Sequence, residues 1–431
     1  MVSSPSDIIK DRENFKNTNL SEWIIKVDSE LKLMYDVFYT KAFANYGISG
    51  LTSRFISLTT TINVLVFYAK LSVKREYQDL DHIITYLLLI GSLLAEIFAL
   101  LLVVSSEWTC MYITLNVVGI FRWFLSFVSL FRFLCVFISD DVVQLLYNPP
   151  QYITRNEVFP ADQFLMRQAN FLNMISNKRL NIKGNFFLAN KLEELTSVGE
   201  YCVSSNLRKV IFESLRDKSN EGTRSNPSSS LGYRNLLLGK NDPIFASVLE
   251  LHRTIITWHI ATDLFYYCDD DSSSELDERK NCKVMSDYMF YLLVKQRQML
   301  PVGAGLITLR DTVIEAKDNI AVPQDNLAEV SRKLFKYGTT KTIHEVSEME
   351  NTSVLFHACA VAKLLIDRKL TWKFVEDLWI EVMNYASAQC RVDRHAHQLR
   401  EGPEFLSHVW LLQAHLGLLE QFQIIPRQAS V

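Results

Sequence analysis

The apolar stretch Ile83–Val104, IITYLLLIGSLLAEIFALLLVV, decides the architecture predicted for this chain. It contains 22 residues and a single acidic side chain, Glu96. A helix needs about 20 apolar residues to cross the hydrocarbon core of a bilayer, so this stretch is long enough to span it. The Gly91-Ser92 pair inside it suits close contact with another helix. We therefore predict a transmembrane helix, with a buried core helix of a soluble protein as the alternative.

Two further apolar segments flank this stretch, at residues 55–73 and 113–138. The first carries the run Thr59–Thr61, whose hydroxyls can bond back to the helix backbone and so be tolerated in lipid. The second carries Arg122 and Arg132, which cost several kcal/mol at mid-bilayer unless they are paired or reach the interface. The sequence thus predicts two or three membrane spans.

Charged residues inside these segments are candidates for a functional role. A carboxylate within an apolar span needs a partner, and Arg122 or Arg132 could supply it for Glu96. Burial could instead keep Glu96 protonated. A structural ion pair and a path for a transported solute both remain open.

The rest of the chain predicts an all-α protein in which a soluble helical part follows the N-terminal transmembrane helices. Four consecutive helices are predicted in the C-terminal region, over residues 325–337, 345–368, 371–390 and 403–422, and Thr371 has the position of an N-cap for the third. Stretches 162–173 and 203–215 are also predicted as helices. The predicted regions are an N-terminal tail with an amphipathic helix (1–54), the transmembrane region (55–138), a helical middle region with a serine-rich linker near 219–230 (139–320), and a C-terminal helical domain (321–425).

Charge and cysteine content exclude some classes of function. The formal net charge is −3 and no long basic run occurs, so nucleic-acid binding through a basic face is not expected. The seven cysteines are odd in number, widely spaced and never in a C-x-x-C pair. This pattern favours free thiols in a reducing compartment over disulfides or a thiolate zinc site.

Basic residues near the spans give a prediction of sidedness. Lys74 and Arg75 in the short loop 74–82 favour its placement on the cytoplasmic side. With three spans, residues 139–431 would then lie in the cytosol. Basic residues upstream of residue 55 favour the opposite orientation, and the sequence does not identify the membrane.

Several phrases of the sequence resemble one protein family. The resemblance lies in Glu30–Ala42 (ELKLMYDVFYTKA), Asp81–Leu88 (DHIITYLL), Trp258–Leu264 (WHIATDL), Leu378–Ala386 (LWIEVMNYA) and Trp410–Gly417 (WLLQAHLG). These phrases are similar to plant membrane proteins that carry the domains of unknown function numbered 4220, at the N-terminus, and 594, at the C-terminus. Related chains usually begin further upstream with added hydrophobic spans. The resemblance implies a membrane protein of the plant cell and no particular activity.

The richest group of metal-ligating residue types lies near the C-terminus. Glu404 and His408 are four residues apart and would share one face of a helix. A zinc or iron site needs three or four such ligands to converge. The alternative is that these side chains cap helices and satisfy buried carbonyls. The candidate metal ligands are His395, His397, Glu404, His408 and His415.

A second group consists of Trp258, His259, Thr262 and Asp263, which could form a polar site at a helix end. Helix packing is its favoured interpretation. No H-E-x-x-H, G-x-S-x-G or G-x-x-x-x-G-K-[ST] motif occurs, so no catalytic residue and no cofactor are predicted.

Three hypotheses of function follow. The first is a membrane-anchored helical interaction or scaffold protein without catalytic activity, whose partners are the lipid bilayer and a protein bound by the C-terminal domain. The second is a metal-dependent membrane enzyme that uses the C-terminal His/Glu group. The third is a component of a small-solute transporter built around Glu96.

Overall fold

A computed structural model describes residues 20–40, 48–72, 79–104, 164–176, 196–220, 250–268, 275–301, 305–319, 326–339, 353–402 and 404–419. The chain forms two compact units. The larger unit comprises residues 1–28 and 159–431, and the smaller unit comprises residues 29–158. In the described part of the chain the fold is all-α, with thirteen α-helices and one two-stranded sheet.

The first three helices are α1 (Leu20–Tyr39), α2 (Ile48–Ser72) and α3 (Asp79–Val104). The boundary between the two units falls inside α1, after Asp28. The apolar face of the amphipathic helix predicted in this region is buried at Trp23, Val27 and Leu31. Phe38, one residue before the end of α1, is 59% exposed.

Helix α2 corresponds to the first predicted apolar segment. As expected for that segment, its threonine hydroxyls bond back to the helix backbone. The Thr60 hydroxyl donates to the carbonyl of Ile56 at 2.7 Å, and the Thr61 hydroxyl donates to that of Ser57 at 3.0 Å. These bonds satisfy the hydroxyls within the helix itself.

Helix α3 contains the stretch Ile83–Leu100, the one segment of the described helices that is long and apolar enough to cross a membrane. None of the residues in that stretch is buried inside the protein. Leu87 is 69% exposed and Leu88 is 65% exposed. Helix α2 does not meet the same criterion, and the third predicted segment, 113–138, lies outside the described residues.

The described part of the larger unit contains ten further helices, a 3₁₀ turn and the sheet. The elements are β1 (Leu165–Gln168), α4 (Phe171–Ser176), β2 (Gly199–Cys202), α5 (Ser205–Asn220), α6 (Leu251–Cys268), α7 (Leu276–Lys295), the 3₁₀ turn (Arg297–Met299), α8 (Gly305–Asn319), α9 (Leu327–Thr339), α10 (Val354–Asp367), α11 (Trp372–Gln389), α12 (Val392–Gln398) and α13 (Phe405–His415).

Helices α6 and α7 form the centre of this unit. They pack against each other, and α10 covers α6 while α11 covers α7. Both central helices are buried on all faces along most of their length, which is typical of helices surrounded by others. The polar residues on them therefore need partners within the protein.

The helix predicted over residues 162–173 is wrong. Residues 165–168 form strand β1, which pairs antiparallel with β2, and the short helix α4 follows. The pairing is extended by a hydrogen bond of 2.7 Å from the Val203 amide to the Phe164 carbonyl. Because the partner strand lies about thirty residues further along the chain, the local pattern of residues does not reveal it.

The four helices predicted in the C-terminal region are α9, α10, α11 and α13, and α12 is an additional short helix. The predicted N-cap at Thr371 is confirmed, because its side chain accepts a hydrogen bond from the Phe374 amide at 3.4 Å. Ser353 caps α10 in the same way through the Phe356 amide. Of the predicted linker near 219–230, Ser219 and Asn220 end helix α5, and the remainder lies outside the described residues.

Candidate functional site

Glu96 lies on α3 and is held by side chains of α2. Its Oε1 accepts a hydrogen bond of 2.6 Å from the Ser57 hydroxyl, and its Oε2 lies 3.8 Å from a guanidinium nitrogen of Arg54. The carboxylate therefore joins the two helices of a hairpin. Arg122 and Arg132, the partners expected from the sequence, lie outside the described residues.

The C-terminal candidates for metal ligands are engaged separately. His395, on α12, is buried against α11 and α13. Its Nε2 donates to the Ser387 carbonyl at 3.2 Å, so Nδ1 accepts from the Ser407 hydroxyl at 3.0 Å. The ring also stacks on Trp410, with centroids 4.8 Å apart. Burial lowers the pKa of His395 to about 4, although the bond to Ser387 opposes the shift.

His408 lies on α13 and Glu404 directly precedes that helix, but their side chains contact different neighbours. The Nε2 of His408 lies 2.7 Å from a carboxylate oxygen of Asp28, and its Nδ1 lies 3.3 Å from the Glu404 carbonyl. The Glu404 carboxylate instead faces Arg167 at 3.4 Å and accepts from the Tyr291 hydroxyl at 3.3 Å. Burial raises the pKa of Glu404, against the opposing effect of Arg167.

The remaining two candidates lie elsewhere. His397 is exposed on α12. His415, at the end of α13, meets the Trp23 ring edge-on with centroids 5.6 Å apart. Among the described residues, none of the five predicted ligands belongs to a group of three or more His, Cys, Asp or Glu side chains close enough to share an ion. The contacts of His395, Glu404, His408 and His415 are hydrogen bonds and ring contacts with different neighbours within the larger unit.

One such group does occur in the described part of the chain, at the centre of the larger unit. It comprises His259, Asp263 and Asp287, whose candidate ligand atoms all lie within 4.8 Å of one another. Helix α6 contributes His259 and Asp263 one turn apart, and α7 contributes Asp287. We call this group, together with Lys283, the Lys283 cluster.

Lys283 occupies the position that a cation would take in this cluster. Its ammonium nitrogen lies 2.5 Å from Asp263 Oδ1 and 2.7 Å from Asp287 Oδ1. Burial alone would lower the pKa of Lys283, but the two carboxylates outweigh it and raise that pKa. Since the ammonium already neutralises the carboxylates, these residues fit an internal ion pair better than a metal site.

The histidine of the cluster is neutral and fixed in one tautomer. Its Nε2 accepts the Phe171 amide at 3.0 Å, so its Nδ1 donates to the Ser286 hydroxyl at 2.8 Å. Burial lowers the pKa of His259 to about 4, although Asp263 opposes the shift. The ring also stacks on Phe290 with centroids 4.3 Å apart. Neither nitrogen has a lone pair left for a metal.

Asn170 connects the Lys283 cluster to the strand and short helix before it. Its side-chain oxygen caps α4 through the Asn173 amide at 3.1 Å. Its amide nitrogen donates to Asp263 at 2.7 Å and to Asp287 at 3.0 Å. The cluster thereby fastens the segment β1–α4 to the two central helices, which is a structural role.

Part of this arrangement can be read from residue spacing. His259 and Asp263, like Lys283 and Asp287, are four residues apart and therefore share a helix face. The packing role favoured for the Trp258–Asp263 group agrees with this geometry, and the Thr262 hydroxyl accepts from the Trp379 ring nitrogen at 3.1 Å. The group lies inside α6 and not at a helix end.

Comparison with known proteins identifies two matches along the chain. The Domain of unknown function (DUF4220) matches residues 9–147, and the Protein of unknown function, DUF594, matches residues 366–418. The two domains occur in the order expected from the sequence, which confirms the resemblance; the plant origin stays a prediction. No curated protein and no solved structure gives a significant match.

Proposed function

We propose that this chain, which carries the two domains of unknown function 4220 and 594, is a membrane-anchored helical interaction protein. The observation that carries the proposal is the stretch Ile83–Leu100 of α3, which has a mean hydropathy of 2.2 and no buried residue. A soluble protein would cover such a helix with its own chain, because exposed apolar surface costs about 25 cal/mol per Å² in water. We propose that lipid covers this stretch of α3.

The dimensions of α3 support a membrane-spanning position. Helix α3 has 26 residues, which at about 1.5 Å per residue gives a length of about 39 Å. The hydrocarbon core of a bilayer is about 30 Å thick. The helix is therefore long enough to cross the core and to reach both interfaces with its ends.

The contacts between α2 and α3 support insertion of both helices as a hairpin. Glu96 is paired with Ser57 and Arg54, so the acidic group of α3 has partners on the adjacent helix. Tyr68 of α2 and Tyr86 of α3 also meet edge to face, with centroids 5.3 Å apart. On this basis we propose a multi-pass protein in which α2 is a second span and Glu96 has a structural role.

An exposed thiol supports a cytosolic position for the larger unit. Cys202, in strand β2 of that unit, is a free cysteine and is exposed. Exposed free thiols are typical of reducing compartments. The basic loop 74–82 favours the same side.

A docking role for the larger unit follows from how its polar residues are used. The Lys283 cluster and the groups around His395 and Glu404 hold helices together. These groups therefore serve the unit's own structure, and we propose that a protein partner binds its surface.

Membrane integration is tested by alkaline carbonate extraction of membranes from cells that express the full chain. We expect the protein to stay with the membrane pellet. Leu87→Arg with Leu94→Arg, at sites 69% and 61% exposed, should release it. The matched control places the same charges at Val198 and Leu276, which are exposed at 41% and 67% outside α3. Extraction of the unmodified chain by carbonate would contradict the proposal.

Docking is tested separately by crosslinking in intact membranes and purification of the full chain. The control is a fusion of residues 48–104 to a soluble carrier, which supplies the hairpin without the larger unit. A partner recovered in comparable molar amount with the full chain and absent from the control is the expected result. Recovery of the same proteins with both chains would show that the larger unit binds no partner of its own.

A further inference from the structure

A cavity of about 680 Å³ opens on the larger unit. It lies where the start of α6, the end of α7, the 3₁₀ turn, the start of α8 and the region around α12 meet. Its volume falls in the range of about 300–1,000 Å³ that is usual for small-molecule sites. None of the residues used in the proposed membrane anchor lines it.

The cavity has an apolar wall and a basic mouth. Leu251, Leu293 and Leu300 are buried and form part of the apolar lining. Arg297, Arg391 and Arg394 also line the cavity and are exposed to solvent. A ligand with an apolar body and a charged end would match this division.

Arginine side chains supply the charged groups of the cavity lining. No carboxylate is among the described residues that line it. Two lie beside them: Asp393, at 2.9 Å from Arg391 and 3.8 Å from Arg394, and Glu250, at 3.3 Å from His252. Guanidinium groups bind phosphate and carboxylate through paired hydrogen bonds.

The first turn of α8 adds hydrogen-bond donors to the same wall. Gly305, Leu306 and Ile307 line the cavity, and they are the first three residues of that fifteen-residue helix. Amides of a first turn have no acceptor within their helix and carry a partial positive charge. A Cβ atom at Gly305 would lie 3.0 Å from Leu293 Cδ1 and 3.2 Å from His252 Cβ, so the glycine lets the helix start approach this wall closely.

We propose that this cavity binds a small amphipathic anion, a phosphate or carboxylate joined to an apolar group. The anionic group is bound by Arg297 and Arg394 at the mouth, and the apolar group contacts Leu251, Leu293 and Leu300. The site goes beyond membrane anchoring and does not depend on it. Its ligand is either a soluble metabolite or an anionic lipid, since both present this chemistry.

The test uses the full chain in nanodiscs of zwitterionic phosphatidylcholine and the water-soluble probe 1-naphthyl phosphate. Binding is measured by titration calorimetry, and we expect it to weaken as salt is added because the arginines are exposed. Arg297→Gln with Arg394→Gln should weaken binding about tenfold or more. The matched control is Arg400→Gln, an exposed arginine in the same region that does not line the cavity; we expect a change of less than about twofold.

Two further arms separate the apolar wall from the basic mouth. Inorganic phosphate should bind more weakly than 1-naphthyl phosphate if the wall contributes. Ile307→Glu, at a lining site 56% exposed, should abolish binding without disturbing the core. Equal affinity for inorganic phosphate, or unchanged affinity of the double arginine variant with an intact melting curve, would overturn the proposal.

The source of the ligand is read from competition. Nanodiscs that contain phosphatidic acid should displace 1-naphthyl phosphate if a lipid headgroup is the natural ligand, and should leave its affinity unchanged if the ligand is soluble. Either result supports an anion site. Absence of probe binding to the unmodified chain in both nanodiscs would refute it.

Discussion

His408 Nε2 lies 2.7 Å from a carboxylate oxygen of Asp28, a residue 380 positions earlier in the chain. Asp28 belongs to the segment matched by the N-terminal domain, and His408 belongs to the segment matched by the C-terminal domain. Both residues are in the larger unit. A side-chain contact therefore joins α13 to α1, and it connects the two segments that the domain comparisons match.

The first prediction concerns this contact. Asp28→Asn and His408→Gln should each lower the free energy of unfolding by about 1 kcal/mol, because the pair is charge-assisted but partly exposed. The double variant should lose little more than either single variant, which shows that the two side chains act on each other. Thermal unfolding of the full chain in one detergent measures all three.

The control for this cycle is Asp367→Asn, at an exposed residue at the end of α10. Combined with His408→Gln, it should give additive losses. Additive losses for Asp28→Asn and His408→Gln as well would mean that the 2.7 Å contact contributes nothing to stability.

The second prediction concerns the Lys283 cluster. Lys283→Met leaves Asp263 and Asp287 as two buried carboxylates without their ammonium partner, so we expect a loss of about 3–5 kcal/mol. Adding Asp263→Asn removes one of the two charges and should recover part of the lost free energy of unfolding. Lys209→Met, which breaks an exposed pair with Glu213, is the control and should cost less than about 1 kcal/mol.

A metal site would behave differently in the same experiment. Zinc or manganese added to the unmodified chain should leave the melting temperature unchanged if Lys283 occupies the position of the cation. A metal-dependent rise that is lost with Asp287→Asn would show that these residues bind an ion after all.

The third prediction concerns pH. The folded state depresses the pKa of His395 from 6.5 to about 4, so its contribution to stability is present above about pH 6.5 and is lost as pH falls towards 4. The full depression corresponds to about 3 kcal/mol. Between pH 7 and pH 4.5, the free energy of unfolding of the His395→Gln variant should therefore fall by about 2 kcal/mol less than that of the unmodified chain.

The comparison with a variant is needed because other groups titrate in the same window. Burial raises the pKa of Asp287 to about 6, and a raised carboxyl pKa gives stability that is present below about pH 4 and lost as pH rises through 6. This contribution opposes that of His395 and cancels when the two chains are compared. Equal acid losses for both chains would contradict the assignment of a buried, neutral His395.

The fourth prediction concerns Glu96. Glu96→Leu leaves Arg54 and Ser57 without their acceptor, so the detergent-solubilised chain should be more sensitive to protease at the hairpin. Arg54→Leu added to Glu96→Leu should restore resistance, because the remaining groups are apolar or bond to their own helix. A changed solute flux with unchanged protease resistance would instead favour the transporter alternative.

Local sequence was sufficient where a structure depends on a short run of residues. The apolar run after Ile83 predicts α3, Thr371 predicts the start of α11, and the threonines of α2 bond back to their own helix. Each of these features depends on contacts within about four residues, which a periodic pattern reports directly.

Features that depend on distant partners were not predictable in the same way. Strand β1 needs β2, and Asn170 meets Asp263 and Asp287 from positions 93 and 117 residues away. The five C-terminal candidates for metal ligands have suitable chemistry, but His395, His408 and Glu404 bond to separate neighbours. Residue type alone does not distinguish a convergent site from dispersed packing contacts.

The central claim is that lipid surrounds α3, and a photo-crosslinker at Leu88 tests it most directly. Benzoylphenylalanine replaces Leu88, which is 65% exposed, in the full chain reconstituted in phosphatidylcholine vesicles, and Leu276, which is 67% exposed in the larger unit, is the matched control. We expect irradiation to add the mass of a phospholipid at position 88 and not at position 276. Crosslinks from position 88 to the polypeptide alone, without any lipid adduct, would contradict the account.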